Sequence, residues 1–212
     1  MYHPAQAEQR WWEYLRRKQK KRRKRGGRQG KRSRIPDRVS IDQRPAAVNE
    51  RQEPGHWEGD SVVSKGQRDG VHTEVERLSR FLVACKVNAI TGEATIAVQR
   101  QIVAERPPSL RRSTTLDNGH ENHLHAQLHD LDMQTYFADP YASWQRGTNE
   151  NGNWHLRHYF PKGTDFTQVS AQELQDVVNE INDRPRRVLA YHTAREVLQR
   201  FASQDVGVAI DS

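Results

Sequence analysis

The sequence has few of the features that membrane or secreted proteins need. Its single cysteine, Cys85, cannot form a disulfide within the chain, which fits a reducing cytoplasm. The longest apolar run, Phe81 to Cys85, has five residues, whereas a membrane-spanning helix needs about 20. No apolar stretch follows the first basic residues, so we expect no secretory signal. We therefore expect a cytoplasmic protein with no membrane segment.

Acidic residues are scarce in one part of the chain. The 212 residues include 34 Lys/Arg and 27 Asp/Glu, a net charge of +7. Residues 1–34 contain 14 basic and two acidic residues, so this segment carries +12 and the remainder −5. A basic arm is therefore attached to a mildly acidic body.

The basic arm contains an unbroken run of cations: Lys20, Lys21, Arg22, Arg23, Lys24 and Arg25. Such a run binds DNA phosphates without sequence preference, because each cation releases counterions. The alternative is a disordered tail that only keeps the protein soluble. Residues 35–54 contain Pro36, Pro45 and Pro54 and are expected to form an extended linker.

Hydrophobic patterning from Gly55 onward predicts an α/β domain. Alternating runs near 57–63, 71–77 and 81–87 predict an antiparallel three-stranded meander. Thr91 would cap a helix of about 92–105, whose predicted buried face is Ala94, Ile96, Ala97, Val98, Ile102 and Val103. Strands at 114–116 and 133–138 flank a helix of about 121–131. Thr148 would cap a helix that starts at Asn149, Ser170 would cap another to about Asn182, and a final helix starts at Thr193. This order is compatible with an RNase H-like fold, a mixed sheet with helices on both faces. We predict three regions: an arm and linker over 1–54, a core over 55–203 and a tail over 204–212.

Three carboxylates stand out by their positions. Asp60 lies on the first predicted strand, Asp117 ends the fourth, and Glu150 lies in the first turn of a helix. Magnesium prefers oxygen ligands, and two such ions can catalyse phosphodiester chemistry between a few converging carboxylates. Taken singly, each acid has an ordinary alternative: Asp117 begins a good turn with Asn118 and Gly119, and Glu150 is favourable at a helix N-terminus.

Longer motifs carry a resemblance to a known family. They are Gly55-His56-Trp57-Glu58-Gly59-Asp60, Val75-Glu76-Arg77, Leu116-Asp117-Asn118-Gly119-x-Glu121, Asp139-Pro140-Tyr141-x-Ser143-Trp144-Gln145-Arg146-Gly147-Thr148-Asn149-Glu150-Asn151, Arg157-x-Tyr159-Phe160-Pro161-Lys162-Gly163-Thr164-Asp165 and Asn182-x-Arg184-Pro185-Arg186. In this order, from about Arg44 to about Val197, the chain resembles bacterial insertion-sequence transposases of the IS-thirty family.

The resemblance implies a fold, a reaction and a set of site residues. It implies an integrase-type, RNase H-like core with a mixed five-stranded sheet. It also implies that Asp60, Asp117 and Glu150 are the catalytic triad and bind two Mg²⁺ or Mn²⁺ ions. The implied reaction is cleavage of DNA at transposon ends followed by strand transfer, by a homo-oligomer assembled on DNA. Around that site the candidates for phosphate contact are Arg146, Arg157 and Lys162; the alternative for each is an ordinary surface cation.

A histidine-rich segment at 120–129 raises the possibility of a zinc site. His125 and His129 are four residues apart on the predicted helix, a spacing that suits metal binding. No cysteine is nearby and no His-Glu-x-x-His motif is present. We therefore favour structural or surface histidines.

The chain departs from the family pattern at several places. No pair of helices joined by a turn is evident before Gly55, so we expect an N-terminally truncated transposase. Gly152, Trp154 and His155 interrupt the pattern after the catalytic motif, Glu74 falls in a strand where an apolar residue is expected, and Ala194 replaces a proline. These departures keep two alternatives open: a non-catalytic DNA-binding remnant that interferes with intact transposase, and a general RNase H-like nuclease.

Overall fold

The computed structural model describes residues 35–66 and 68–204. Its five strands are β1 (His56–Val63), β2 (Gly70–Glu76), β3 (Leu82–Val87), β4 (Ser113–Leu116) and β5 (Gln134–Phe137). Its α-helices are α1 (Ala46–Glu50), α2 (Gly92–Ala104), α3 (Gly147–Tyr159), α4 (Ala171–Asn182) and α5 (Ala194–Gln204). The basic run at 20–25 and the predicted tail after Gln204 lie outside the described residues.

The strands form one mixed sheet in the order β3-β2-β1-β4-β5. The first three pair antiparallel, as the meander prediction requires. Strand β4 pairs parallel with β1, and β5 pairs parallel with β4. The predicted RNase H-like architecture, a mixed five-stranded sheet flanked by helices, is confirmed.

Helices cover both faces of this sheet. On one face, α3 and α4 pack on apolar side chains of β1, β2 and β3, including Val75 and Leu82. On the other, α2 and a 3₁₀ segment (His125–Leu131) pack on Trp57 and Val83. Leu82 and Val83 point to opposite faces because side chains alternate along a strand. None of the described helices is long and apolar enough to cross a membrane.

Two predicted helix starts are confirmed in their detail. The hydroxyl of Thr91 accepts a hydrogen bond from the Ala94 N–H, and that of Ser170 accepts one from the Glu173 N–H. The buried face of α2 is only partly as predicted, because it consists of Gly92, Thr95, Ile96, Gln99, Ile102 and Val103. Ala97 is exposed instead.

Three local predictions are wrong. Residues 35–54 are not an extended linker: they include a 3₁₀ turn and α1, and they bury Ile35, Ile41 and Val48. The segment 121–131 forms 3₁₀ turns rather than one α-helix, since Leu124 leaves helical geometry between them. Helix α3 begins at Gly147 and has no capping side chain at its N-cap residue, so Thr148 is not its cap.

Glu74, the buried glutamate in β2, does not disrupt the sheet, because its carboxylate has bonding partners. Glu74 is 1% exposed, accepts a hydrogen bond from Thr114 Oγ1 at 3.0 Å, and pairs with His72 Nε2 at 3.2 Å. Strand β1 lies between β2 and β4, so the side chain of Glu74 crosses β1 to reach Thr114 on β4. It crosses at Gly59, the residue of β1 that pairs with Glu74. A Cβ at Gly59 would lie 2.9 Å from Glu74 Oε1. The glycine therefore makes room for the glutamate.

Gly152 allows α3 to approach the sheet closely, and this predicts the effect of adding a methyl group. A Cβ at Gly152 would lie 2.7 Å from Val75 Cγ2, whereas one at Gly147, on the same helix, has nothing within 4 Å. We expect Gly152→Ala to lower the free energy of unfolding by about 1–3 kcal/mol through overpacking. Gly147→Ala should be neutral or stabilising by up to about 1 kcal/mol. Urea unfolding of both variants checks this, and equal stabilities would contradict the close packing.

Candidate active site

Parallel pairing brings two of the predicted catalytic acids together. Strands β1 and β4 pair His56 with Ser113, Trp57 with Thr114, and Glu58 with Thr115. The same offset aligns Asp60, further along β1, with Asp117, the residue directly after β4. Both aspartates are half-buried.

Arg146 lies between these two carboxylates. Its Nη1 is 3.3 Å from Asp60 Oδ1, and its Nη2 is 3.9 Å from Asp117 Oδ2. It also donates a 3.0 Å hydrogen bond to the Gly59 carbonyl, and its side chain is only 11% exposed. We predicted Arg146 as a DNA contact; in the structure its guanidinium is the counter-charge of the aspartate pair.

The second oxygen of each aspartate is fixed by the protein. Asp117 Oδ1 accepts hydrogen bonds from the Gly119 N–H and from Asn122 Nδ2, both at 2.9 Å. Asp60 Oδ2 accepts one from Asn153 Nδ2 at 3.1 Å. Each carboxylate therefore has one oxygen held in place and one that faces a cation.

Burial and neighbouring carboxylates raise the pKa values of two acids at this site, Asp60 and Glu121. Burial raises the pKa of Asp60; the charge of Arg146 partly offsets this, and that of Asp117 adds to it. Burial also raises the pKa of Glu121, with further contributions from Asp117 and Asp60. The Glu121 carboxylate lies against Gly119, where a Cβ would be 2.4 Å from Oε2. Glu121 is thus a third acid at this edge of the sheet, although in the sequence it stands out only as the last residue of a motif.

Glu150 does not join the aspartates in this structure. It lies in the first turn of α3, and its side chain is exposed. Within residues 35–66 and 68–204, no three His, Cys, Asp or Glu side chains are arranged to hold a metal ion. The structure therefore brings together Asp60, Asp117 and Arg146, and Glu150 is exposed outside this group.

The paired aspartates nevertheless have the donor chemistry of a divalent-metal site. Magnesium is bound in proteins by one or two carboxylates together with water or substrate oxygens. Asp60 and Asp117 each direct one free oxygen at the same cationic group, so Arg146 occupies the position of a stand-in cation. Two carboxylates that converge on one positive charge fit such an ion.

Comparison with known proteins shows which family shares this sequence. The chain is 41% identical, over 79% of its length and 50% of the relative's, to the transposase for insertion sequence element IS1086 of Cupriavidus metallidurans. It is 33% identical, over 91% of its length and 59% of the relative's, to the transposase for IS4351 of Bacteroides fragilis. It is 35% identical, over 78% of its length and 43% of the relative's, to transposase InsI for IS30A of Escherichia coli. The chain belongs to this family of insertion-sequence transposases. No family model matches it.

The alignments cover most of this chain but only part of each relative. The chain spans about half the length of the curated transposases that it matches. Most of the chain is included in each alignment, so the described sheet and the aspartate pair belong to the part shared with these transposases.

Two further residues that we predicted as DNA contacts lie at the C-terminal end of α3 and just after it. Arg157 lies about three turns from the start of the helix, and its Nη1 donates to the carbonyls of Phe160 and Pro161 at 3.4 and 3.3 Å. Lys162 follows and is exposed. Contact of either residue with DNA stays a prediction.

The histidine-rich segment has structural partners. His125 hydrogen-bonds through Nδ1 to Thr135 Oγ1 at 2.7 Å and through Nε2 to the Pro36 carbonyl at 2.8 Å. His129 hydrogen-bonds to the same threonine hydroxyl at 3.0 Å. These two side chains tie the 3₁₀ segment to β5 and to the start of the described chain, which is the structural role that we favoured.

The position of Arg146 predicts that its removal destabilises the fold in the absence of metal ions. We expect Arg146→Gln to lower the free energy of unfolding by about 1.5–3 kcal/mol, the usual contribution of a hydrogen bond to a charged group. The loss should be smaller at about pH 4 than at about pH 7, because burial raises the pKa of Asp60, so this carboxyl is protonated as the pH falls and then loses its attraction to Arg146. Urea titrations with EDTA measure this, with Arg157→Gln as the control. Equal losses at both pH values would contradict a counter-charge role.

Proposed function

We propose that this chain is the catalytic part of a DNA transposase that cuts and joins DNA with the help of divalent metal ions. The observation that carries the proposal is the alignment of Asp60 with Asp117, each with one oxygen directed at a shared cation. The curated relatives are named as transposases of insertion elements, and this supports DNA at the element's ends as the substrate.

The residues of the site would have distinct roles. Asp60 and Asp117 would hold divalent ions, and Glu150, exposed in the first turn of α3, would supply a third carboxylate. When bound, such ions activate the attacking oxygen and stabilise the leaving oxygen of a phosphodiester. Gly119 and Asn122 keep Asp117 oriented, and Asn153 does the same for Asp60. Arg146 is a cation already within reach of both acids, and it would serve a DNA phosphate once metal ions take its place.

The proposed reaction has two steps at phosphorus. In the first, a water oxygen forms a bond to phosphorus at the element's end, and the bond to the 3′-oxygen breaks, leaving a 3′-hydroxyl. In the second, that hydroxyl attacks a phosphodiester of target DNA and displaces another 3′-oxygen, which takes up a proton. Neither step needs a covalent bond to the protein.

The remaining cations would bind DNA outside the reacting phosphate. We propose this role for Arg157 and Lys162 at the end of α3, and for the run from Lys20 to Arg25 in the basic arm. The proposal includes assembly of several copies on DNA, since two ends of an element must be brought together.

A cleavage and joining assay tests the proposed function. The chain is incubated with labelled duplexes that carry its own element's ends and with a supercoiled target plasmid, in Mg²⁺, Mn²⁺ or EDTA. We expect cleavage that leaves a 3′-hydroxyl and then joined products, both lost in EDTA. Cleavage without joining would indicate the nuclease alternative. Binding without cleavage in either metal would indicate the non-catalytic remnant and contradict the proposal.

A further inference from the structure

Helix α3, which carries Glu150, is capped by a side chain from the sheet. The first four N–H groups of any helix have no partner within the helix. At the start of α3 the N-cap residue, Arg146, makes no side-chain capping bond. Glu58 Oε2 instead accepts hydrogen bonds from the N–H groups of Thr148 at 2.8 Å and Asn149 at 2.9 Å. A carboxylate on β1 therefore supplies the cap that the helix lacks.

The capping carboxylate is buried and has a buried counter-charge. Glu58 is 0% exposed, and its second oxygen pairs with Arg77, which is 6% exposed. Arg77 Nε donates a 3.2 Å hydrogen bond to the Val48 carbonyl in α1. A negative charge at a helix N-terminus also interacts favourably with the helix dipole. The ion pair therefore fixes one point at which α1, β1 and α3 meet.

A second row of hydrogen bonds continues from this point toward Asp60. Asn149 Nδ2 donates to the Glu58 carbonyl at 2.7 Å. Asn153 Nδ2, one turn later, donates to Asn149 Oδ1 at 2.7 Å and to Asp60 Oδ2 at 3.1 Å. One side of the first two turns of α3 is thus bonded to β1, while the side chain of Glu150 is exposed.

We propose that Glu58 is a positioning residue for the catalytic site: held by Arg77, its carboxylate caps α3 and fixes the first turn of that helix, which carries Glu150, relative to Asp60 on β1. Glu58 and Asp60 are two residues apart, so they lie on the same side of β1. One strand therefore provides a proposed metal ligand and the anchor of the helix that bears another. This inference rests on the proposed function, since positioning has meaning only if Glu150 takes part in the reaction.

Hydrogen exchange tests the anchor without any activity measurement. In the full chain, Glu58→Ala is expected to speed exchange of the Thr148 and Asn149 amides by about 10-fold or more, as expected when about 1.4 kcal/mol of local protection is lost. Amides in the β2–β3 pairing should change much less. Ile102→Ala, in the buried face of α2 on the opposite side of the sheet, is the control for general destabilisation. The same exchange pattern in both variants would overturn the anchoring role.

Kinetics then separate positioning from simple stabilisation. We expect Glu58→Ala to lower kcat for cleavage by about 10- to 100-fold, the usual effect of losing a group that orients metal ligands. The KM for DNA should change by less than about threefold, because no proposed DNA contact is removed. The Glu58→Gln/Arg77→Met double variant keeps an acceptor for the α3 amides without an unpaired buried charge, and it should recover most of kcat. A loss in Glu58→Ala no greater than in Ile102→Ala, or no recovery in the double variant, would overturn the proposal.

The hydrogen-exchange and kinetic experiments together distinguish failure of this inference from failure of the proposed function. If the wild type neither cleaves nor joins DNA, the proposed function fails, and the positioning role fails with it even where exchange confirms the cap. If the wild type is active but the variants behave as Ile102→Ala does, only the positioning role fails. If Glu58→Ala does not fold, Glu58→Leu/Arg77→Met, which removes the acceptor without leaving a buried charge, is compared with Glu58→Gln/Arg77→Met, which keeps it, and the pair supplies both readouts.

Discussion

Replacing Asp117 with asparagine is expected to lower metal-dependent DNA cleavage by about 10³-fold or more. A bound divalent ion contributes several kcal/mol of charge stabilisation to the transition state, and about 1.4 kcal/mol corresponds to a factor of ten in rate. Asparagine can still accept the hydrogen bonds from Gly119 and Asn122 with its amide oxygen. Its amide nitrogen, however, would replace the oxygen that faces Arg146. The fold should therefore persist while the metal site is lost.

The measurement is initial cleavage rate in Mg²⁺ for Asp117→Asn and for a control, Asp130→Asn. Asp130 is an exposed acid that pairs with Arg100 at 3.4 Å on the α2 face, away from the aspartate pair. We expect the control to cleave at the wild-type rate, and DNA binding in EDTA to be alike in all three proteins. An Asp117→Asn variant that cleaves within tenfold of wild type would show that the chemistry uses other residues.

Much of this fold could be predicted because its core strands alternate clearly. The meander from β1 to β3 and the capped starts of α2 and α4 follow from local patterns and were confirmed. The segment 35–54 was mispredicted because its three prolines suggested extended chain. Its buried side chains, Ile35, Ile41 and Val48, are too far apart to show a helical or strand period. Their burial depends on contacts with distant parts of the chain.

The site was predictable in its residues but not in its arrangement. Asp60 and Asp117 could be chosen from motifs, yet their proximity depends on the parallel pairing of β1 with β4. No local pattern indicates that Arg146 turns toward them. The sequence shows Glu58 only as part of a motif. Nothing in the residues around it indicates that its side chain caps a helix about 90 residues later. Such roles come from tertiary contacts, which single-sequence patterns do not encode.

The second large effect is expected in the core beneath the site, where Glu74 balances a buried arginine. Arg106 is 6% exposed, lies over the Trp57 ring at 3.4 Å, and has Glu74 Oε2 3.9 Å from its Nη2. None of the three nitrogens of its guanidinium has a hydrogen-bond partner, and burial lowers the pKa of Arg106 to about 10. The negative charge of Glu74 is thus the main compensation for burying this cation.

Glu74→Gln is therefore expected to lower the free energy of unfolding by about 3–5 kcal/mol, the usual result of removing one partner of a buried charge pair. Burial alone would raise the pKa of Glu74, but the hydrogen bond with His72 and the charge of Arg106 outweigh it, so the pKa lies below its ordinary value. A depressed carboxyl pKa stabilises the fold above the unfolded-state pKa and loses that contribution as the pH falls through the native one. Urea unfolding from neutral to acidic pH should therefore show a difference between wild type and Glu74→Gln that narrows in acid.

Removing both charges should reverse most of this loss. In Glu74→Leu/Arg106→Met, no buried charge remains without a partner, and replacing a buried pair by apolar residues is often neutral or stabilising. Leucine is also the kind of residue that the strand pattern led us to expect at this position. We expect the double variant to be at least about 2 kcal/mol more stable than Glu74→Gln in the same urea titration. If it is no more stable, then Glu74 acts through His72 and Thr114 rather than through Arg106, and the charge balance is not what retains a glutamate in this strand.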